Sequence, residues 1–397
     1  MSGTAALVEA TLRDSLEGVD EVALVSRLCD RLVAAGMPLT RMAVACDMLD
    51  PSFDSHGVTW KRGEGATIED YERSPSSEAE DEWLKSPFHA LVTSDDRMLR
   101  RRLVAGYTAG EFPVLDEFKR RGTTDYVCIV ERIANEMCFG VTRGVVASWC
   151  AEGEGFDDAS IRLLDALMPA FATAFLARTM RKTTRALLAT YLGQDAADRV
   201  LAGNVIRGRA ERLRAVVWFA DLVGFTRVAD TQTGEVVLAM LNDYAEAQVE
   251  AIESHGGHVL KFIGDGLLAI FPGAEEVSAC RNALDAADDF RARVRGLNER
   301  RRTEGLPTSD AHVALHIGEV LYGNVGSLRR LDFTVLGAAV NEAARIEALC
   351  GSLDQPVIVS TAFADAAGDA RSRLVSLGRY AMKGVSKPQE LFTLEAG

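Results

Sequence analysis

Two acids set at the ends of apolar runs are the side chains best suited to chemistry in this sequence of 397 residues. In Val216–Thr226 (Val-Val-Trp-Phe-Ala-Asp-Leu-Val-Gly-Phe-Thr), a β-rich run delivers Asp221 and then turns through Gly-Phe-Thr. In Val259–Phe271, two apolar runs join across Gly264-Asp265-Gly266, a strong hairpin signal that sets Asp265 at a tip. Mg²⁺ takes oxygen ligands, commonly one or two carboxylates plus substrate phosphates, so acids at rigid strand ends suit a nucleotide-phosphate site. The amides of Gly224, Phe225 and Thr226, just ahead of a helical pattern, suit phosphate oxygens. A plainer alternative for Asp221 is a cap for that helix.

The elements that must position these residues fall in the second half of the chain. From Arg214 onward strands and helices alternate, with a helix from Phe225 to about Ser254, the Asp265 hairpin, a helix over Ser278–Asn298 and strands at Ala311–Ile317 and Phe333–Leu336. A helix over Ala338–Cys350 is expected to close at Gly351, and short strands follow at Val357–Val359, Arg379–Tyr380 and Leu391–Leu394. Ahead of them, Phe171–Leu201 reads as one continuing helix, either a static connector or one that transmits a shift between domains. A basic cluster (Arg207, Arg209, Arg212, Arg214) marks the boundary.

The first half opens with a helical pattern over Ala5–Ala35. Strands are expected at Arg41–Asp50 and Gly57–Lys61, an acidic loop or short helix at Glu69–Glu82, a helix at Phe112–Arg121 and strands at Asp125–Glu131 and Val141–Trp149. A long helix then starts at Phe156-Asp157-Asp158. This order resembles a GAF domain, which would make residues 1–178 a sensor with a small-ligand pocket. His56 and His89 are candidate haem or metal ligands there, against the plainer reading of surface or satisfied core histidines.

Composition sets outer limits. With 48% hydrophobic and 26% charged residues the chain is globular, and its length suggests two to three domains. A formal net charge of −14 opposes duplex nucleic acid or an anionic membrane as main partner. The seven cysteines form no Cys-x-x-Cys pair and fit buried thiols of a reducing compartment. No signal sequence and no uninterrupted apolar run near membrane-spanning length is read, so a cytoplasmic protein is expected.

Three motifs in order, Phe219-Ala-Asp-Leu-Val-Gly-Phe-Thr226, Lys261-Phe-Ile-Gly-Asp265 and Asn341-Glu-Ala-Ala-Arg345, resemble the catalytic domain of class III nucleotidyl cyclases over residues 208–397. The resemblance implies an α/β (α+β), ferredoxin-like domain, preceded by the GAF-like region 1–178 and a helical linker 179–207. It further implies that Asp221 and Asp265, with the backbone carbonyl of Leu222, hold two Mg²⁺ or Mn²⁺ ions per site. Asn341 would orient the ribose and Arg345 would neutralise charge on the α-phosphate, the alternative for Arg345 being a solvated helix charge. Lys261 and Thr334 would read the base. A lysine donates to adenine N1 and clashes with the N1–H of guanine, whereas guanine-selective members carry glutamate there. Thr334 stands where many adenylate-forming members have aspartate, as in the bacterial and soluble subgroup. Asp332 lies two residues away, and the seven-residue spacing to Asn341 favours Thr334. Lys383, with Lys387 as runner-up, would meet the triphosphate. The implied activity is conversion of ATP to 3′,5′-cyclic AMP and pyrophosphate in a homodimer, with a cyclase for another nucleotide or an inactive nucleotide-binding regulator as alternatives. The histidine pairs His255/His258 and His312/His316 lack the further ligands that zinc needs.

Overall fold

The computed structural model describes residues 3–50, 53–72, 77–133, 144–273, 275–382 and 388–395. The chain divides into two compact units, Met1–Leu187 and Leu188–Gly397.

The first unit runs α1 (Gly3–Leu16), α2 (Glu21–Ala34), β1 (Leu39–Asp47), β2 (Phe53–Lys61), β3 (Gly65–Glu72), α3 (Ser77–Leu84), α4 (Pro87–Val92), β4 (Met98–Arg102), α5 (Pro113–Arg120), β5 (Asp125–Arg132), β6 (Gly144–Ala151) and most of α6 (Asp158–Leu192). Its six strands form one sheet in the order β3-β2-β1-β6-β5-β4. One face carries α2 and α6, whose buried Leu28, Leu32, Leu164, Phe171 and Phe175 share a core with Val44, Val127 and Trp149. The acidic stretch at Glu69 is therefore not all loop, because its first four residues finish β3. This is an edge strand.

By length and composition alone α6 is long and apolar enough to cross a membrane. Its stripe Leu164, Leu167, Met168, Phe171 and Phe175 is instead buried in this core. The helix entry is capped by Asp157, which accepts from the Ser160 amide at 2.7 Å.

His56 is fully buried, its Nδ1 bonded to Asp70 and 3.1 Å from Lys182 Nζ, which also meets Asp70 at 2.9 Å. His89 lies edge-on to Trp83. Among the described residues no group of three or more His, Cys, Asp or Glu could hold a metal, and the buried Nε2 of His56 has no hydrogen-bond partner among them.

The second unit continues with α7 (Gln194–Leu201), β7 (Ala210–Leu222), α8 (Phe225–Thr231), α9 (Gly234–Ser254), β8 (His258–Ile263), β9 (Gly266–Pro272), α10 (Glu276–Thr303), β10 (Ala311–Gly326), β11 (Leu331–Leu336), α11 (Ala338–Leu353), β12 (Val357–Ser360), α12 (Thr361–Ala366), β13 (Leu374–Tyr380) and β14 (Gln389–Leu394). The sheet order is β13-β14-β12-β10-β7-β9-β8, with β11 pairing β10. Central β7 is rich in β-branched and aromatic residues and is covered on both faces. Val216, Trp218, Ala220 and Leu222 enter the core beneath α9 and α10, while Ala215, Val217 and Phe219 enter the one beneath α7 and α11.

Three expected elements differ. The long helix breaks at Gly193, whose φ of 83° suits glycine and whose Cβ, if present, would lie 2.6 Å from the Val259 carbonyl oxygen. The Phe225–Ser254 helix is two, because Gln232 and Thr233 are extended. Gly351 does not end α11, which runs to Leu353 and stops at Asp354 in the left-handed region. A Cβ at Gly351 would lie 3.4 Å from the His312 ring, an ordinary van der Waals contact.

A buried polar network fixes the chain beyond β7. Tyr244 donates to Asn298, and its oxygen accepts the Ser309 amide at 2.7 Å. Asn298 donates to the Ser309 carbonyl at 2.9 Å, and the Ser309 hydroxyl donates to the Val223 carbonyl at 2.9 Å. Removing one partner of such a bond strands the others, at a cost of about 1–3 kcal/mol. Tyr244→Phe should accordingly lower the melting temperature of the protein by roughly 3–10 °C. A thermal scan in which the variant melts with the native chain would show that the network does not hold this loop.

Candidate active site

Asp221 is the last residue of β7 on the α11 side, following the buried Val217 and half-buried Phe219 of that parity. The core ends there and a carboxylate begins. Opposite it, β8 and β9 turn through the two-residue loop Gly264-Asp265, with Gly264 at φ 63°. Glycine at the first loop position is what a tight hairpin of this kind requires. Gly266 then starts β9 against β7 so closely that a Cβ would lie 2.5 Å from the Ala220 carbonyl oxygen and 3.3 Å from Asp221 Oδ1. This close approach brings the two predicted acids together.

Burial, reinforced by hydrogen bonding and repulsion from Asp265 and by the charge of Glu347, pushes the Asp221 carboxyl up to about 7. The Leu222 amide opposes this by donating to it. Burial, with Asp265 second, also raises Glu347. Two acids this close ionise together only beside a positive charge. The donor set of two carboxylates without thiols or imidazoles suits a hard divalent cation that brings phosphate oxygens with it.

Gly224, with φ 69°, leads into α8, and no side chain caps the first amides of that helix. Asn341 and Arg345 lie one turn apart on the exposed face of α11, opposite the buried stripe Ala339, Ala343 and Ile346. Neither makes a hydrogen bond or ion pair among the described residues. Lys261 donates to Asp332 at 2.9 Å. Thr334 is buried, its hydroxyl without a partner among the described residues. No hydrogen bond or ion pair among the described residues joins the Asp221–Asp265 pair to Lys261, Asn341 or Arg345. Lys383 and Lys387 lie outside the described residues.

Sequence reasoning did not single out Glu347, although it lies one helical position past Ile346 in the same motif-bearing helix. It also missed Tyr244, Asn298 and Ser309, whose contribution is visible only once α9, α10 and the start of β10 are packed together. Of the histidines, His316 is buried and bonded to Ser360 at 2.9 Å, while His255 meets the Ala251 carbonyl at 2.8 Å. The six described cysteines are free and buried, and Cys138 lies outside the described residues.

Residues 210–396 match the family described as the adenylate and guanylate cyclase catalytic domain. Over 212 residues the chain is 32% identical to an uncharacterized protein of Mycobacterium tuberculosis, an alignment covering 53% of this chain and 38% of that protein. Over 152 residues it is 34% identical to an adenylate cyclase of Anabaena cylindrica, covering 37% of this chain and 29% of that one. The chain thus spans well under half the length of these relatives. A solved bacterial light-regulated adenylyl cyclase is alike in fold over 89% of this chain and 93% of its own, at 18% identity and a TM-score of 0.51.

Two outcomes are expected of the acid pair. A cation competes with a proton for Asp221, so Mn²⁺ affinity measured by calorimetry should rise with pH, by up to about tenfold per unit below pH 7, and level off above about pH 8. A flat profile would mean that Asp221 does not bind the ion. Gly266→Ala forces β9 from β7, costing about 1–3 kcal/mol of stability and weakening Mn²⁺ binding at least roughly tenfold. Unchanged affinity in a folded variant would show that the close approach is not what pairs the acids.

Proposed function

We propose that this chain, whose residues 210–396 are an adenylate and guanylate cyclase catalytic domain, converts ATP to 3′,5′-cyclic AMP and pyrophosphate as a homodimer. The observation that carries the reading is the pairing of Asp221 with Asp265 at the end of β7, where burial and mutual repulsion call for a cation. Asp221 and Asp265, with the Leu222 carbonyl, would hold the Mg²⁺ or Mn²⁺ pair. When bound, these ions supply charge neutralisation at the triphosphate and acidify the ribose 3′-hydroxyl. The 3′-oxygen, its proton released to water, then bonds to the α-phosphorus as the bond to the pyrophosphate oxygen breaks.

The chain's own groups do the positioning. The open amides of Gly224, Phe225 and Thr226 receive phosphate oxygens, with Lys383 or Lys387 adding a cation. Arg345 meets the charge that builds on the α-phosphate, and Asn341 holds the ribose. Lys261 donates to adenine N1, and the unpartnered Thr334 hydroxyl accepts from the 6-amino group.

Support for a shared site comes from the lack, among the described residues, of any hydrogen bond or ion pair between the two residue sets and from exposed apolar side chains beside one of them. Phe262 and Ile263 follow Lys261, and Leu331 and Leu336 bracket Thr334, all at least 38% exposed. A second copy covering these residues would bring its own acid pair to Lys261, Thr334, Asn341 and Arg345. Residues 1–178 are proposed to be a GAF-like regulatory domain for a small ligand. The free, buried cysteines suit a cytoplasmic setting.

Purified protein supplied with Mn²⁺ or Mg²⁺ and each nucleoside triphosphate in turn should release cyclic AMP from ATP. Cyclic GMP as main product would reassign the base, and no product from any triphosphate would leave a nucleotide-binding regulator. Asp221→Ala and Arg345→Ala should each be inactive, and mixing them should restore up to about a quarter of native activity, since half the random dimers carry one intact site of two. A dead mixture, with subunit exchange demonstrated, would refute the homodimer.

A further inference from the structure

Lys261 and Asp332 stand on strands that do not pair with each other. β8 is bonded to β9 at the sheet edge, and β11 is bonded to β10. Their side chains nonetheless meet, Nζ to Oδ2, at 2.9 Å. A register shift between Val259 and Lys261 pairs Lys261 with Leu268, and so decides the face on which the lysine emerges. Two residues along β11, on the face that Asp332 shares by the strand period, Thr334 is 3% exposed with its hydroxyl unpartnered among the described residues. A ligand that hydrogen-bonds this hydroxyl would relieve the cost of burying it.

We infer that Asp332 is a positioning residue for base recognition, fixing the Lys261 ammonium so that Lys261 and Thr334 present donor and acceptor in the order of an adenine edge. The inference rests on the nucleotide reading above. Adenine carries an acceptor at N1 and a donor on the 6-amino group, whereas guanine carries an acceptor at O6 and a donor at N1. The two edges offer the same groups in opposite order. A lysine free to swing by one ring position satisfies either, and the flexible four-carbon stem allows that swing. Held by Asp332, the ammonium keeps two N–H groups for the base and loses the freedom to exchange positions with the hydroxyl. An ion pair this exposed adds little to stability, so its effect is expected in recognition rather than in folding.

The test uses the full chain with Asp332→Asn, Asp332→Glu and Asp332→Asn combined with Lys261→Ala. The readouts are kcat and KM for ATP and GTP with Mn²⁺, binding of 3′-deoxy-ATP and 3′-deoxy-GTP, and melting temperature. Asp332→Asn should lower the preference for ATP over GTP roughly tenfold, mainly through KM for ATP, with melting unchanged. Asp332→Glu should recover most of the preference, and in the Lys261→Ala background Asp332→Asn should change it no further. A parallel loss with both nucleotides and a lower melting temperature would make the pair a strand clip. An unaltered preference in all variants would make it a solvated ion pair. Either result overturns the inference. If the native chain binds adenine over guanine in an Asp332-dependent way and yields no cyclic product, the cyclase reading fails and this one stands. Binding of neither nucleotide overturns both.

Discussion

The second unit is built around a repulsion. Asp221 and Asp265 are held side by side by backbone that cannot easily part, since β7 and β9 are hydrogen-bonded neighbours and Gly266 lets them close to within contact distance. The result is a carboxyl pushed up to about 7, an unfavourable state for a metal-free protein near neutrality. Such a pair persists because the surrounding sheet is stable enough to impose it. In the proposed reading, a divalent cation would convert the same geometry from a cost into a binding site.

Everything beneath the pair restricts where the two acids can go. Trp218, three residues before Asp221 and on the opposite face of β7, is sealed between Phe271 and Phe290, and truncating a buried aromatic of this size typically costs about 3–5 kcal/mol. Beyond β7 the Tyr244–Asn298–Ser309 network holds the Val223 carbonyl, so the turn into α8 starts from a fixed point. Buried Arg301, bonded to Asp243 and to the Pro307 carbonyl at 2.8 Å, ties α9 to the chain entering β10. These groups fix the start of the turn into α8, the turn proposed to receive phosphates.

The first unit also buries charge. His56, Asp70 and Lys182 join β2, β3 and α6 through one cluster, with the imidazole stacked on Phe175 at 6.0 Å. Such a cluster specifies register, because a one-residue slip of β3 would carry Asp70 to the other face of the sheet. Asp125 does similar work beside the α6 entry, bonded to Arg100 at 2.6 Å and to the Phe156 amide at 3.1 Å. Gly155 is needed there, since a Cβ would lie 2.8 Å from that of Asp125.

The sequence by itself determined the local features. β7 and the Gly264-Asp265 hairpin were legible because β-branched runs and glycine turns act over a few residues. Asn341 and Arg345 were legible as partners on one helix face because helical spacing is fixed by geometry. Breaks at Gly193 and Thr233, and the continuation of α11 through Gly351, were not legible. At Gly193 the deciding contact comes from a residue distant in sequence, Val259. The acidity of Asp221, the proximity of Glu347 and the capture of Lys261 by Asp332 were likewise decided only by the tertiary structure. Spacing along the chain favoured Thr334, and it carried no information about which side chain of β11 the Lys261 ammonium reaches. Charge interactions fall off with distance through space, and folding, not sequence order, sets those distances.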